Sequence, residues 1–328
     1  MSVRARGLLL ACCALLACKK SPGDGPSTSA SNSAPSPSAS LVASASAPAS
    51  ASASAKPAAA VKPLLFRVAG KAGTKVHLFG SVHVANKSFY PLPAKVEAAF
   101  TDSKALAVEV HLDTKTKLRA AELVAKGNYT PPDSLKKHVS EKTWTLLDTH
   151  PKRPLPMALL APQKPWVVAV MFLAKELERN GLDPDQGIDK HFVDAAEAAS
   201  KPIKSLETIE DQLGIFGAMP DATQELFLRE SLEETDLVGK QIGELTDAWK
   251  SGDEPALVKL LATSYEKPEF KTLQKQLIFD RNARMAKAVE KMLGEKDDVF
   301  VVVGVAHLVG EGGVVDLLGK QKLVVDRL

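Results

Sequence analysis

The chain has 328 residues, of which 45% are hydrophobic and 25% charged, with 42 Lys and Arg set against 39 Asp and Glu. A formal net charge of +3 provides no basic surplus of the kind nucleic-acid binding requires, so no nucleic acid is expected as a partner. The three cysteines, Cys12, Cys13 and Cys18, all precede Lys19, so the remaining chain has no disulfide and no thiolate metal site. A metal held there needs histidine, carboxylate or water.

Arg4 and Arg6 precede an apolar run from Leu8 to Ala17, too short to stay in a bilayer as a spanning helix and typical of an export signal. The run ends Leu15-Leu16-Ala17-Cys18, which resembles a bacterial lipobox. That resemblance implies cleavage before Cys18, acyl chains (palmitate among them) on the new terminus, and a lipoprotein held in the cell envelope by its lipid anchor alone. The alternative is an ordinary secretory signal in which Cys18 is incidental. Lys19-Lys20 after the cysteine, rather than Asp, leans towards the outer membrane. Residues 18–60 then form a tether of Ser, Ala and Pro with no apolar periodicity, expected to be disordered. About forty such residues hold the folded region some 35 Å from the anchor, on the order of 5–6 Å × √n.

Residues 61–328 are long enough for one large α/β domain. Pro63 to Val68 reads as a first strand, Gly70 and Gly73 as a turn, and Lys75 to Gly80 as the second strand of a hairpin. The phrase Gly80-Ser81-Val82-His83 comes next, at the strand's carboxyl end. A helix opens at Tyr90-Pro91-Leu92-Pro93 and runs through Phe100. The strand Ala105 to Val110 contains Glu109, a charge that is costly in a buried strand unless paired or metal-bound; the bland alternative is a solvent-facing glutamate at the strand's end. Helices are expected over Lys115–Gly127, Ser134–Asp148 and Pro165–Arg179, the last a buried core helix too short to cross a bilayer. Asp185 leads into a helix ending near Ser200, and Pro202 to Glu207 is a short strand ending in a carboxylate. Asp211–Trp249 is mostly helical with a break at Gly214–Pro220. Next come Glu254–Tyr265 and one long Pro268–Leu293 helix. Phe300 to Val303 reads as a fully buried strand, and Gly304-Val305-Ala306-His307 repeats the glycine–histidine phrase at its end. A short helix ending at Gly319 and a strand Lys322–Val325 close the chain. The expected fold is thus α/β, a central mixed sheet flanked by helices, with a large helical insertion between the two Gly-x-x-His strand units. In open α/β sheets ligands bind at the strands' carboxyl ends, so His83 and His307 are expected to converge there; the alternative is two unrelated loop histidines.

The segments FRVAG, VHLFGSVHVA, YPLPAKVEAAF, ALAVEV, PDQGIDKHFVDAA, KPIKSLET, DRNARMA and VFVVVGVAHLVGEGGVVDLL together resemble the TraB/GumN family, relatives of the Tiki and PrgY proteins, from about Leu65 to about Lys320. The resemblance implies a divalent-metal-dependent hydrolase, with Tiki-type members cleaving peptides near an amino terminus, and a fold related to erythromycin-esterase-like (EreA) and ChaN-like proteins. Carried over by motif, the histidines are His83 and His307, the strand acid is Glu109, and the Arg-Asn pair is Arg281-Asn282. The chain has Asp280 where members commonly have Glu. His77 and His111 are not motif positions.

These residues make a coherent chemistry. His83, Glu109 and His307 suit Mn²⁺, Co²⁺ or Zn²⁺ with an open position for water. Gly80 and Gly304 allow close backbone approach. Arg281 suits an oxyanion or substrate carboxylate, Glu207 a general base or extra ligand, and Asn282 a supporting role. There is no His-Glu-x-x-His and no Gly-x-Ser-x-Gly, which excludes a zincin and a serine elbow, and Ser81 reads as a turn residue. The expected substrate is a peptide or protein. The alternatives are a PrgY-like protein that sequesters a peptide without cleaving it, and a hydrolase of non-peptide esters.

Overall fold

In the computed structural model, residues 63–70 and 73–328 are described. The expected signal peptide, Cys18 and the tether lie outside them. Six strands form one sheet: β1 (Leu65–Ala69), β2 (Lys75–Ser81), β3 (Ala105–Val108), β4 (Ile203–Ser205), β5 (Val299–Gly304) and β6 (Val325–Arg327), in the order β4-β3-β5-β2-β1-β6. The hairpin is present, with β1 antiparallel to β2 in the register Leu65 opposite Phe79. The strands β4, β3, β5 and β2 are mutually parallel, and β6 pairs antiparallel with β1. This is a mixed sheet in an α/β fold.

Strand β5 is central for a reason visible in its composition. All six residues of VFVVVG are buried, β-branched and aromatic side chains facing helices on both sides. Each such Val or Phe contributes about 1.5–3 kcal/mol relative to exposure. The aromatic side chains of Phe79, Phe100, Phe192 and Phe300 pack together on one face.

The helices that matter for the site are α1 (Ala94–Asp102), α2 (Thr114–Ala125), α3 (Glu141–Thr149), α4 (Pro165–Arg179), α5 (Ile188–Ala198), α6 (Ile209–Gly217), α7 (Asp221–Glu233), α8 (Val238–Ser251), α9 (Glu254–Ser264), α10 (Asp280–Leu293) and α11 (Val314–Lys320). Between β3 and β5 the described chain is helical apart from the three-residue β4 and its connecting turns. Among the described residues no helix is long and apolar enough to cross a membrane.

Three local expectations are corrected. The helix expected over Ser134–Asp148 starts only at Glu141, because Ser140 caps it, its hydroxyl accepting from the Thr143 amide and donating to Glu225. The long Pro268–Leu293 helix is broken by a π-turn at Lys275–Phe279 before α10 begins. The last strand lies at Val325–Arg327 rather than Lys322–Val325. Lys322 sits in the left-handed region (φ 63°) as part of the cap of α11, with its amide bonded to Gly319 O and that of Leu323 to Leu318 O, so no strand can start there.

Candidate functional site

The parallel strands all deliver their carboxyl ends to one edge, and each chemistry-bearing residue lies one to three positions beyond its strand. His83 comes after β2, Glu109 after β3, Glu207 after β4, and His307 lies on the helical turn Val305–Leu308 that begins where β5 stops. Residues far apart in sequence therefore meet because β5 lies between β3 and β2.

Glu109 is the hub, and only 4% of it is exposed. Its Oε1 accepts from the Gly304 amide (2.7 Å) and stands 3.5 Å from His83 Nε2 and 3.8 Å from His307 Nε2. Its Oε2 accepts from Arg281 Nη2 (2.5 Å) and Gln212 Nε2 (3.1 Å). The far side of each imidazole faces an oxygen. His307 Nδ1 lies 2.7 Å from Asn282 Oδ1, and Asn282 Nδ2 donates to Gly312 O (2.8 Å). Because the Asn282 amide nitrogen is committed to Gly312, its oxygen is left to accept. His307 then carries its proton on Nδ1 and turns the Nε2 lone pair towards Glu109. His83 Nδ1 lies 2.9 Å from Asp189 Oδ2, an ion-pair approach short of an aligned hydrogen bond, while Asp189 Oδ1 accepts from the Ser81 hydroxyl (2.7 Å). Ser81 therefore orients Asp189 and is not activated by a histidine.

Electrostatics follow from this arrangement. Burial pulls the His83 imidazolium down, but Asp189 and Glu109 outweigh it and raise its pKa well above the ordinary histidine value. Burial, reinforced by Arg281 against the opposing Glu109, pushes His307 down to about 3. Burial would raise the Glu109 carboxyl, but the facing His307, Arg281 and His83 hold it well below the usual range. The centre is thus a carboxylate, a neutral imidazole and a readily protonated one.

Arg281 lines the cleft beside the imidazoles, and Glu207 lies behind it. Arg281 Nε donates to both Glu207 oxygens (3.1 and 2.8 Å), and its Nη1 donates to Leu277 O (3.2 Å). That last bond comes from the π-turn, whose wider winding loosens the ladder ahead of α10. Arg284 and Gln212 also reach Glu207. Glu207 does not line the cleft, so the structure places it as the counter-charge of Arg281 rather than beside the imidazoles. Asn282 positions His307. Asp280 pairs at the surface with Lys275 (2.6 Å), away from the centre. His77 is buried in β2 and His111 pairs with Glu197 (3.0 Å) at the surface; neither lines the cleft.

Among the described residues no group of three or more His, Cys, Asp or Glu side chains is placed to hold a metal ion. Yet donors bound to one tetrahedral ion at 2.0–2.2 Å stand about 3.4 Å apart, close to the 3.5 and 3.8 Å seen between each Nε2 and Glu109 Oε1. The space above Gly304 is narrow: a Cβ there would crowd Glu109 Oε1 and His83 Nε2, each at 3.1 Å, and would meet His307 Cδ2 at 3.7 Å. Gly80, by contrast, packs against Val305 within the fold. Histidines held through Nδ1 with Nε2 turned inward are the arrangement metal ligands show.

Asp189, Gln212 and Arg284 were not apparent as site residues. Asp189 lies in the first turn of α5, behind Gly187, whose Cβ would strike the His83 carbonyl at 2.3 Å; that close approach seats α5 on the first motif. Gln212 shares the buried face of α6 with Ile209, Leu213 and Phe216, and a polar residue in an apolar stripe is a readable signal. The centre opens into a cleft whose walls are mostly aliphatic.

The sequence model described as the TraB/PrgY/gumN family matches residues 64–327. Uncharacterized protein YbaP of Escherichia coli (strain K12) is 24% identical over 243 residues, covering 74% of this chain and 87% of the relative. YbaP of Shigella flexneri matches to the same extent. No solved structure matches the chain.

Proposed function

This chain belongs to the TraB/PrgY/gumN family, and from the geometry of its sheet edge we propose that it is a divalent-metal-dependent hydrolase acting on peptides. The observation that carries the reading is the pair of imidazoles, each with Nδ1 facing an oxygen and Nε2 turned to the same Glu109 oxygen above Gly304. His83, Glu109 and His307 would hold the ion, and two nitrogens with one carboxylate suit Mn²⁺, Co²⁺ or Zn²⁺. Bound there, such an ion lowers the pKa of water and polarises a carbonyl.

The chain's own residues prepare that chemistry. Asn282 keeps the His307 lone pair directed inward. Asp189 does the same for His83 once its proton is displaced. The Gly304 amide and Arg281 keep Glu109 ionised, and Glu207 balances Arg281. The aliphatic walls limit water around the centre, which strengthens each of these interactions. A protein that only sequesters its ligand needs the cleft but has no use for two paired imidazoles. Hydrolysis of a non-peptide ester would use the same centre, and the proposed kinship to erythromycin-esterase-like proteins is its only support. Export and a lipid anchor on Cys18 are part of the proposal, supported by the Leu15-Leu16-Ala17-Cys18 sequence.

The test is metal analysis after loading with Mn²⁺, Co²⁺ or Zn²⁺, together with cleavage of a peptide library read by mass spectrometry. One bound ion and turnover are expected. His83→Ala and His307→Ala should each abolish both, and the double variant should be little worse, because groups acting as one assembly are strongly non-additive. Single variants that each keep metal and activity would refute the reading.

A further inference from the structure

The two ends of the cleft differ in kind. Its only lining residues of formal charge among those described, Glu109 and Arg281, sit at the sheet edge beside His83 and His307. The walls beyond come from the helical segment between β3 and β5. Leu177 lies near the end of α4, Leu182 in the loop after it, Ile242 and Leu245 on α8, and Ile278 on the π-turn. Thr246 is the one polar side chain of these walls. The α8 wall is tied to the first motif, since Trp249 Nε1 donates to Gly80 O (2.8 Å). A charged group placed in this lobe would lose water and find no partner, whereas an aliphatic or aromatic one would exchange water for carbon. The water-accessible space is about 40 Å³, room for a few waters at about 10–15 Å³ each, which is the scale of one side chain and not of a whole ligand.

We propose that the lobe is a specificity pocket that seats a large apolar side chain of the peptide, next to the bond presented to the sheet-edge centre, with Leu177, Ile242 and Leu245 setting the preference. It rests on the hydrolase reading for its ligand class but not for its chemistry of recognition. Selection then resides in the helices, and reaction on the strand ends.

The test is equilibrium binding to the metal-free full chain, so that turnover does not enter. The probes are fluorescein-labelled hexapeptides Ala-Ala-Xaa-Ala-Ala-Ala, with Leu, Phe, Asp or Lys as Xaa, followed by anisotropy. Leu and Phe peptides should bind at least about tenfold more tightly than Asp and Lys peptides, the scale on which apolar pockets discriminate. Leu245→Arg, at a half-buried position, should weaken the Leu peptide about tenfold and favour Asp over Leu. Leu245→Ala should shift preference towards Phe by enlarging the lobe. Equal affinity of the parent for all four peptides overturns the proposal whether or not the variants fold, as does failure of the Leu and Phe peptides to bind below about 1 mM. Apolar preference in binding without cleavage by the metal-loaded protein supports the pocket and removes the hydrolase reading. Cleavage with no preference at the residues flanking the bond overturns the pocket and keeps the hydrolase.

Discussion

Replacing Arg281 by Met tests the electrostatic account of the site most directly. Arg281 is 3% exposed and bonds Glu109 at 2.5 Å and Glu207 at 2.8 Å, while the Glu207 side chain is wholly buried. Removing one member of a buried ion pair costs about 3–5 kcal/mol, because the charge left behind has neither water nor partner. Two carboxylates lose their partner here, but Arg284, Gln212 and the Gly304 amide remain, so the expected loss stays within that range. It would remove a large part of a total of about 5–15 kcal/mol. The pH dependence follows from Glu109. In the parent its pKa is depressed, so its contribution is fully present above the unfolded value and is lost as pH falls through the folded one. Without Arg281 burial dominates, the folded pKa rises, and the carboxyl can relieve the penalty by taking a proton. The gap between parent and Arg281→Met should therefore be widest near neutrality and narrow in acid. Urea unfolding at the two pH values measures it. Adding Glu109→Gln and Glu207→Gln should recover most of the loss. A variant within about 1 kcal/mol of the parent at neutral pH, the level of a surface pair, would refute the reasoning.

Four further outcomes are expected. Asn282→Leu should weaken metal binding about 10–100-fold by freeing the His307 ring, while Asn282→Asp keeps an acceptor and most of the affinity; titration calorimetry compares them. Gly304→Ala should fill the space between Glu109 and His83 and lower metal affinity at least about tenfold, the range for disturbing a ligand's support, with little change in the circular dichroism spectrum. Metal affinity should rise with pH through the raised pKa of His83, because the ion must displace its proton, and should level off above it; competition with a chelator at stepped pH would expose a flat profile. Cys18→Ala should move the protein from the detergent phase to the aqueous phase after membrane fractionation, and a variant as firmly membrane-associated as the parent would show that lipid on Cys18 is not the anchor.

The strands and the two histidines were legible because their signals are local. The run Phe300 to Val303 reads as a buried strand, and a glycine with a histidine three residues on follows it. The order of the sheet was less so. The central place of β5 between β3 and β2 comes from crossovers that leave little trace in any one segment, yet it is this order that brings His307 against Glu109. Boundaries moved at the Ser140 cap, where a side chain acts on the backbone, and at Lys322, where the backbone itself turns left-handed.

The roles of the site residues were the least legible part, because a role depends on what a group already touches. Read alone, Arg281 and Glu207 look like an oxyanion donor and a general base. In the fold, Arg281 bonds Glu207, Glu109 and Leu277 while lining the cleft, and Glu207 is closed off behind it. The π-turn that aims Arg281 leaves no signature in residue types, since Lys275–Phe279 has an ordinary helical composition. Gln212 shows what can be recovered. On α6 it takes a position that the spacing of Ile209, Leu213 and Phe216 assigns to the core. A side-chain amide is tolerated there only if something buried bonds to it. In this chain the buried partner is Glu109, so the one polar break in an apolar stripe points straight at the centre of the site.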